Sequence, residues 1–338
     1  IITDAQRPDS ALDPNDRIQW RAVNAGDEFI STLNDAANSV AADWIVHVEA
    51  GDQLPPQALA VCVSYIEIRS QWQLIYVDED LISRQGQRHH PRFKPGFNLD
   101  LLRSTAYVGS FLLTRQKAFR EIGGFVRCEG VAGYDLTFKC IERFGETAVG
   151  HIQDILYHRL DWNDERYRTD HVEENGRRTV EQHLARTGLQ GHVGKGLLPH
   201  SYFVEYVHSS TPLVTIVIPT RDKLDLFRPC IESVLGKTSY PNFEVIVVDN
   251  DSKEPATLAY MQELVALDKR VRVMRYPYAY NFSAMNNLAA RDARGDYLLL
   301  LNNDTIIVQP QWLCRMVSYG QRADVGIVGA RLVYPNKT

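Results

Sequence analysis

Residues 213–252 read LVTIVIPTRDKLDLFRPCIESVLGKTSYPNFEVIVVDNDS, and the fold turns on this stretch. Residues 213–218 are apolar and rich in β-branched side chains, which predicts a buried strand that stops at Pro219-Thr220-Arg221-Asp222. Over 226–235, Phe227, Ile231, Val234 and Leu235 share one face of a helix. Residues 243–248 predict a second strand, which runs into Asp249-Asn250-Asp251-Ser252. Strand, helix, strand at this spacing is a βαβ unit. The pattern continues with a helix over 258–266, a strand over 271–274, a helix over 284–293 and a strand over 297–301 that ends at Asn302-Asn303-Asp304. In open parallel sheets ligands sit beyond the carboxyl ends of the strands. The polar clusters at 220–222, 249–251 and 302–304 are therefore expected to meet in one crevice.

Working outward, residues 29–49 match residues 282–302 at one offset of 253 positions, pairing Phe29 with Phe282, Asn34 with Asn287, Trp44 with Tyr297 and Glu49 with Asn302. The spacing is far too long for a solenoid and predicts two related domains in tandem. A length of 338 residues suits two domains. Their expected extents are 1–200 and 213–338, joined by a linker over 201–212. Hydrophobic content of 44% and charged content of 23% are ordinary for a globular chain with a sizeable core. A net charge of −5 argues against nucleic acid as a partner held by broad phosphate neutralisation. The five cysteines show neither zinc-site spacing nor disulfide density, which suits a reducing, cytoplasmic compartment. No apolar run reaches the ~20 residues needed to cross a bilayer, and no leader pattern is seen.

Each polar cluster alone reads as a turn or helix cap, since Asp and Asn favour both. Three at successive strand ends point to chemistry. Carboxylate and amide oxygens are hard ligands that suit Mg²⁺ or Mn²⁺, with substrate phosphate completing the shell.

At these residues the chain resembles the family 2 glycosyltransferases, inverting enzymes with a Rossmann-like GT-A fold. The carrying motifs are VTIVIPTRDKLDLFRPCIESVL, NFEVIVVDNDS, NFSAMNNLAARDARGDYLLLLNNDT and VGIVGARLVYPN. In the first domain they are WIVHVEAGDQLPPQAL, LIYVDEDLISRQGQRHHPRFKPGFNLDLL, AFREIGGF, GYDLTFKCIERFG and HIQDILYHRL. The particular resemblance is to tandem-domain bacterial enzymes of O-antigen, capsule or related surface-glycan assembly, often rhamnosyltransferases. The resemblance implies an α/β chain of two tandem GT-A domains, the first lacking its N-terminal part and the second its C-terminal part. It implies a nucleotide-diphosphate sugar donor, a glycan or lipid-linked glycan acceptor, and a divalent metal, Mn²⁺ or Mg²⁺. It allows peripheral association with the inner face of the cytoplasmic membrane, and homo-oligomers. Pro219, Thr220, Arg221, Asp249, Asn250, Asp251 and Asn286 would face the nucleotide, with Asn302 and Asp304 at the ends of the metal-holding DXD motif.

The first domain departs from that pattern. It carries Glu49-Ala50-Gly51-Asp52, so the second metal-facing carboxylate falls at Gly51, leaving Glu49 and Asp52 as metal candidates. The position of the family's general base is Gly133. The remaining candidates for that role are Asp135, Asp80, Asp78, Glu79 and Glu129, with Asp135 also suited to capping a helix. Two alternatives therefore stand beside transfer. The first domain could be a non-catalytic glycan-binding or assembly module, or the chain could be a sugar nucleotidyltransferase, although 218–227 lacks a Gly-rich phosphate loop.

Arg88, His89, His90, Arg92 and Lys94 read as a solvated basic loop or a phosphate grip. His151 and His158 read as structural residues, since they have no ligand partners in register. Tyr276, Tyr278, Tyr280 and Phe282 suit either core packing or stacking on a ligand.

Overall fold

The computed structural model describes residues 2–3, 21–23, 27–126, 130–161 and 169–334. The chain divides into two compact units, Ile1–Val204 and Glu205–Thr338.

The first unit begins with strands β1 (Ile2–Thr3) and β2 (Arg21–Ala22), paired parallel, then helix α1 (Asp27–Ser39) and strand β3 (Trp44–Val46). There follow α2 (Ala58–Ile68), β4 (Leu74–Ile82), β5 (Arg88–Arg92), α3 (Leu99–Ser104), β6 (Leu112–Arg115), α4 (Gln116–Glu121), α5 (Ala132–Phe144) and β7 (Val149–Leu160). Helix α6 (Asp170–Thr187) and strands β8 (Gly191–Lys195) and β9 (Tyr202–Tyr206) complete the series. Strand β4 is the spine of a mixed sheet, and all nine of its residues are buried. Strand β7 runs parallel to it, β5 and β6 antiparallel, and β3 pairs antiparallel with β6. Burial on both faces explains why LIYV reads as a continuous apolar run. Ile75 and Val77 pack with Phe111, Ile152 and Tyr157, and with Ala58 and Cys62 of α2. A register shift at Val77, Asp78 and Glu79 marks a bulge against β7, a device that re-aims side chains.

The expected linker is partly ordered as strand. Strand β9 pairs with β8, and its alternating burial of Tyr202, Val204 and Tyr206 is the half-buried strand pattern.

In the second unit the elements are β10 (Val214–Thr220), α7 (Leu224–Lys237), β11 (Phe243–Asp249), α8 (Pro255–Leu267), β12 (Val271–Arg275), α9 (Phe282–Asp292), β13 (Tyr297–Leu300) and α10 (Trp312–Gly320). The sheet is parallel throughout, in the order β12-β11-β10-β13. Ile216, Ile218, Val245 and Val247 pack on one face with Phe227, Ile231 and Val234 of α7. Val217, Ile246 and Val248 meet Met285 and Ala289 of α9 on the other. Each such side chain contributes roughly 1.5–3 kcal/mol on burial. Helix α8 starts with proline, whose missing N–H costs nothing there, and Asn281 caps α9 by accepting from the Ala284 N–H at 3.0 Å.

The repeat has a structural counterpart. Helix α1 ends 253 residues before α9 does, and β3 starts 253 residues before β13. This helix and strand open the main sheet of the first unit, whereas in the second unit they follow β10 to β12.

Candidate functional site

Because β10 lies between β11 and β13, the loops after those strands meet on either side of Thr220. The carbonyl of Thr220 accepts from the Asn250 backbone N–H at 2.8 Å, and its hydroxyl accepts from Asn303 Nδ2 at 2.9 Å. One residue therefore ties both neighbouring loops to the central strand. Three expected clusters are brought together here, by parallel register and these two bonds.

Asp249 is buried, and its Oδ1 accepts from the Ser252 N–H at 3.0 Å. Asn250, also buried, donates from Nδ2 to the carbonyls of Tyr276 (3.1 Å) and Tyr278 (2.8 Å). With both amide hydrogens facing carbonyls, Asn250 Oδ1 is left buried without a hydrogen-bond partner. Asn286 repeats this arrangement on α9. Its Nδ2 donates to the Phe282 carbonyl at 2.8 Å, and its Oδ1 is buried and unpartnered. Buried acceptors without donors are costly and call for an explanation.

Asp251 stands in the left-handed region (φ 59°) and is paired with Lys253 at 2.9 Å and Arg275 at 3.2 Å. Lys253, and then Arg275, hold its carboxyl below the usual range. Pro219 is half-buried within β10, while Arg221 is exposed just beyond it. Asn302 and Asp304 are exposed, and neither side chain makes a hydrogen bond or ion pair among the described residues. The Asn302 carbonyl lies 3.5 Å from Cys230 Sγ, whose thiol burial pushes up to about 11.

Sequence reasoning missed Lys253 and Arg275. Register alone could have found Arg275, since it pairs directly with Asp249 across the parallel strands. Asn303 and Ser252 lay within the quoted clusters without an assigned role.

The first unit arranges its carboxylates differently. Asp52 Oδ1 accepts from the Leu160 N–H at 2.8 Å and its Oδ2 from the Tyr157 hydroxyl at 2.5 Å. Gly51 has φ 95°, where a side chain is strained, and an added Cβ would lie 2.7 Å from Leu160 Cδ2. Glu49 is half-buried.

On β4 all three carboxylates are buried and engaged. Asp78 Oδ1 accepts from the Lys94 N–H (2.9 Å) and lies 2.8 Å from His151 Nε2. Glu79 lies 2.9 Å from Lys94 Nζ and 3.6 Å from Arg159 and Arg92. Asp80 meets Arg88 at 2.7 Å and His158 at 2.5 Å. Burial pushes the Glu79 carboxyl up, but Lys94, Arg159 and Arg92 outweigh it and hold the group below the usual range. Asp135 is buried in the first turn of α5, 3.1 Å from Arg186 and 3.5 Å from Lys139. An aspartate at 133 would need Leu112 to move, since even a Cβ would sit 2.9 Å from its Cδ1. Glu129 lies outside the described residues. Among the described residues no three His, Cys, Asp or Glu side chains converge as a metal cage.

Comparison with known proteins adds identity to this geometry. Residues 215–338 match the profile of Glycosyl transferase family 2. The chain is 38% identical over 336 residues to the uncharacterized protein y4gI of Sinorhizobium fredii, covering 97% of this chain and 36% of that protein. It is 34% identical over 333 residues to the O-antigen biosynthesis protein RfbC of Myxococcus xanthus, covering 97% of this chain and 26% of that protein. The chain thus spans only about a third or a quarter of the length of these relatives. Among solved structures, the mannosyltransferase PcManGT from Pyrobaculum calidifontis, in complex with GDP-Man and Mn²⁺, aligns with a TM-score of 0.33 at 20% identity. That alignment covers 35% of each chain. Residues 215–338, which hold every one of the converging strand-end clusters, are therefore a glycosyl transferase family 2 domain.

Proposed function

We propose that the second unit binds the nucleotide diphosphate of an activated sugar at the mouth of its parallel sheet. The protein then transfers the sugar, with inversion, to a hydroxyl of a glycan or lipid-linked glycan during assembly of a bacterial surface polysaccharide. The observation that carries this reading is the double tie at Thr220, which gathers Asp249, Asn250 and the loop bearing Asp304 around one strand end. The likeness to a protein named for O-antigen biosynthesis supports the polysaccharide setting.

The unpartnered oxygens of Asn250 and Asn286 suit a ligand that brings N–H or O–H donors, as a nucleoside does. Arg221, exposed and next to Thr220 in sequence, offers a guanidinium to phosphate oxygens. Asp304 fits a divalent cation, because its carboxylate is a hard oxygen donor left open, with Asn302 two residues away. Asp304, with Asn302, would hold Mn²⁺ or Mg²⁺, which when bound would supply Lewis-acid neutralisation of the departing diphosphate. In the transfer, the anomeric C–O bond to the diphosphate breaks as the acceptor oxygen bonds from the opposite face, and the acceptor proton passes to a base.

Engaged carboxylates favour a separate role for the first unit. Asp52, Asp80 and Asp135 are each held by named partners, which supports reading this unit as a related but degenerate copy that binds glycan or organises assembly. The matching helix and strand positions support the tandem arrangement. No helix among the described residues is long and apolar enough to cross a membrane. We place the work in the cytoplasm, against the membrane face that would carry a lipid-linked acceptor.

The test is calorimetric titration with UDP, GDP and dTDP, with and without Mn²⁺. One of them should bind, and more tightly with the metal; flat titrations throughout would remove the reading.

A further inference from the structure

Asp222 and Lys223 (φ 50° and 56°) and Asp251 (φ 59°) all occupy the left-handed region without being glycine. Such backbone is costly and persists only where surrounding bonds over-determine it. Most of those bonds involve Asp222. Its N–H donates to Ser252 Oγ at 2.8 Å, and its Oδ1 accepts from the backbone N–H groups of Lys253 (2.7 Å) and Glu254 (2.8 Å). The Ser252 N–H in turn donates to Asp249 Oδ1 at 3.0 Å. A chain of bonds thus runs from the loop after β10, across the loop after β11, to the Asp249 carboxylate. Glu254 is also the residue before the first turn of α8, where a negative charge is favourable. The Glu254 and Lys253 amides accordingly hold the Asp222 carboxyl below its usual range.

We infer that Asp222 is a positioning residue for the nucleotide site: it clamps residues 250–254 to the end of β10 and, through Ser252, sets the direction of the Asp249 carboxylate. This inference rests on the nucleotide reading above. Asp222 need not touch the ligand, and its effect passes through Asp249 and Asn250.

The experiment uses the 338-residue chain, with UDP, GDP and dTDP in the presence of Mn²⁺ as probes. Asp222→Ala removes the acceptor of two N–H groups and should weaken the diphosphate that wild type binds by about tenfold. Asp222→Asn keeps a carbonyl oxygen for both bonds and should stay within about threefold. Hydrogen exchange gives a readout that needs no ligand: the amides of Lys253 and Glu254 should exchange about tenfold faster in Asp222→Ala and near the wild-type rate in Asp222→Asn. Wild-type binding with unchanged affinity in Asp222→Ala overturns the positioning role alone, as does unchanged exchange at both amides. A flat wild-type titration overturns the nucleotide reading and the positioning role with it.

Discussion

Residue 304 is an aspartate whose carboxylate stands open at the end of a strand, and 253 positions earlier the chain has Gly51. Around Gly51 the carboxylates have other work. Asp52 is bonded to Tyr157 and Leu160, and Asp78, Glu79 and Asp80 are buried among Lys94, Arg159, Arg88 and two histidines. In the second unit Asp249, Asp251 and Asp304 lie at strand ends, and of these three Asp304 is the one exposed with no ion pair among the described residues. The first unit spends its acidic residues on cohesion. The helix and strand recur 253 positions apart, while the loops that follow them hold their carboxylates differently.

For metal binding, the two units should differ most at Asp304. Asp304→Ala should abolish the Mn²⁺-dependent gain in nucleoside diphosphate affinity, a loss of about a hundredfold, while Asp52→Asn leaves that gain intact. Titration calorimetry on the two variants decides it, and an equal loss in both would erase the distinction.

On stability the largest effect is that of Lys94→Met, which leaves Glu79 buried beside only the more distant Arg159 and Arg92. Removing one partner of a buried pair costs about 3–5 kcal/mol, so urea denaturation should show the first unit unfolding earlier and the second unchanged.

A third contrast concerns the turn before the repeated strand. A Cβ at Gly295 would lie 2.6 Å from the Thr215 backbone N and 2.9 Å from the Leu213 carbonyl, atoms that cannot step aside cheaply. Gly295→Ala should destabilise the second unit by about 2–3 kcal/mol. At the same repeat position the first unit already carries the exposed Ala42, and Ala42→Gly should cost no more than about 0.5 kcal/mol.

The smallest effect is that of pH. Burial outweighs Glu142 at His183 and Asp52 at His47, holding both imidazoles below their ordinary 6.5. Folded protein keeps them neutral while unfolded chain takes up protons, so this contribution is whole above about pH 6.5 and is lost as pH falls below it. In the second unit burial pushes Glu244 up, but Arg294, Thr215 and Arg272 bring it to about 2. Its contribution is lost only as pH falls below the unfolded value of 4.5. Between pH 7 and 5, scanning calorimetry should show the first unit's transition moving down and the second's holding still.

Much of the second unit was legible because strands buried on both faces appear as apolar runs that stop abruptly at polar residues. The positions of Thr220, Asp249 and Asp304 after neighbouring strands followed from strand order. Arg275 was hidden because only register places it beside Asp249. In the first unit, some partners of Asp80 and Asp135 were hidden because they are distant in sequence: His158 meets Asp80 at 2.5 Å, and Arg186 lies 3.1 Å from Asp135 across α5 and α6. Strand β9 was read as linker because its partner strand is short and rich in glycine.

The proposed site brings a cation and a nucleoside diphosphate together at the strand ends of the second unit. Amide NMR with Mn²⁺ and the bound diphosphate tests it most directly, since the paramagnetic ion broadens nearby signals. Broadening is expected at 302–305 and 249–252 and not at 49–52; broadening centred on 49–52 or 78–80, or none anywhere, would overturn the proposed site.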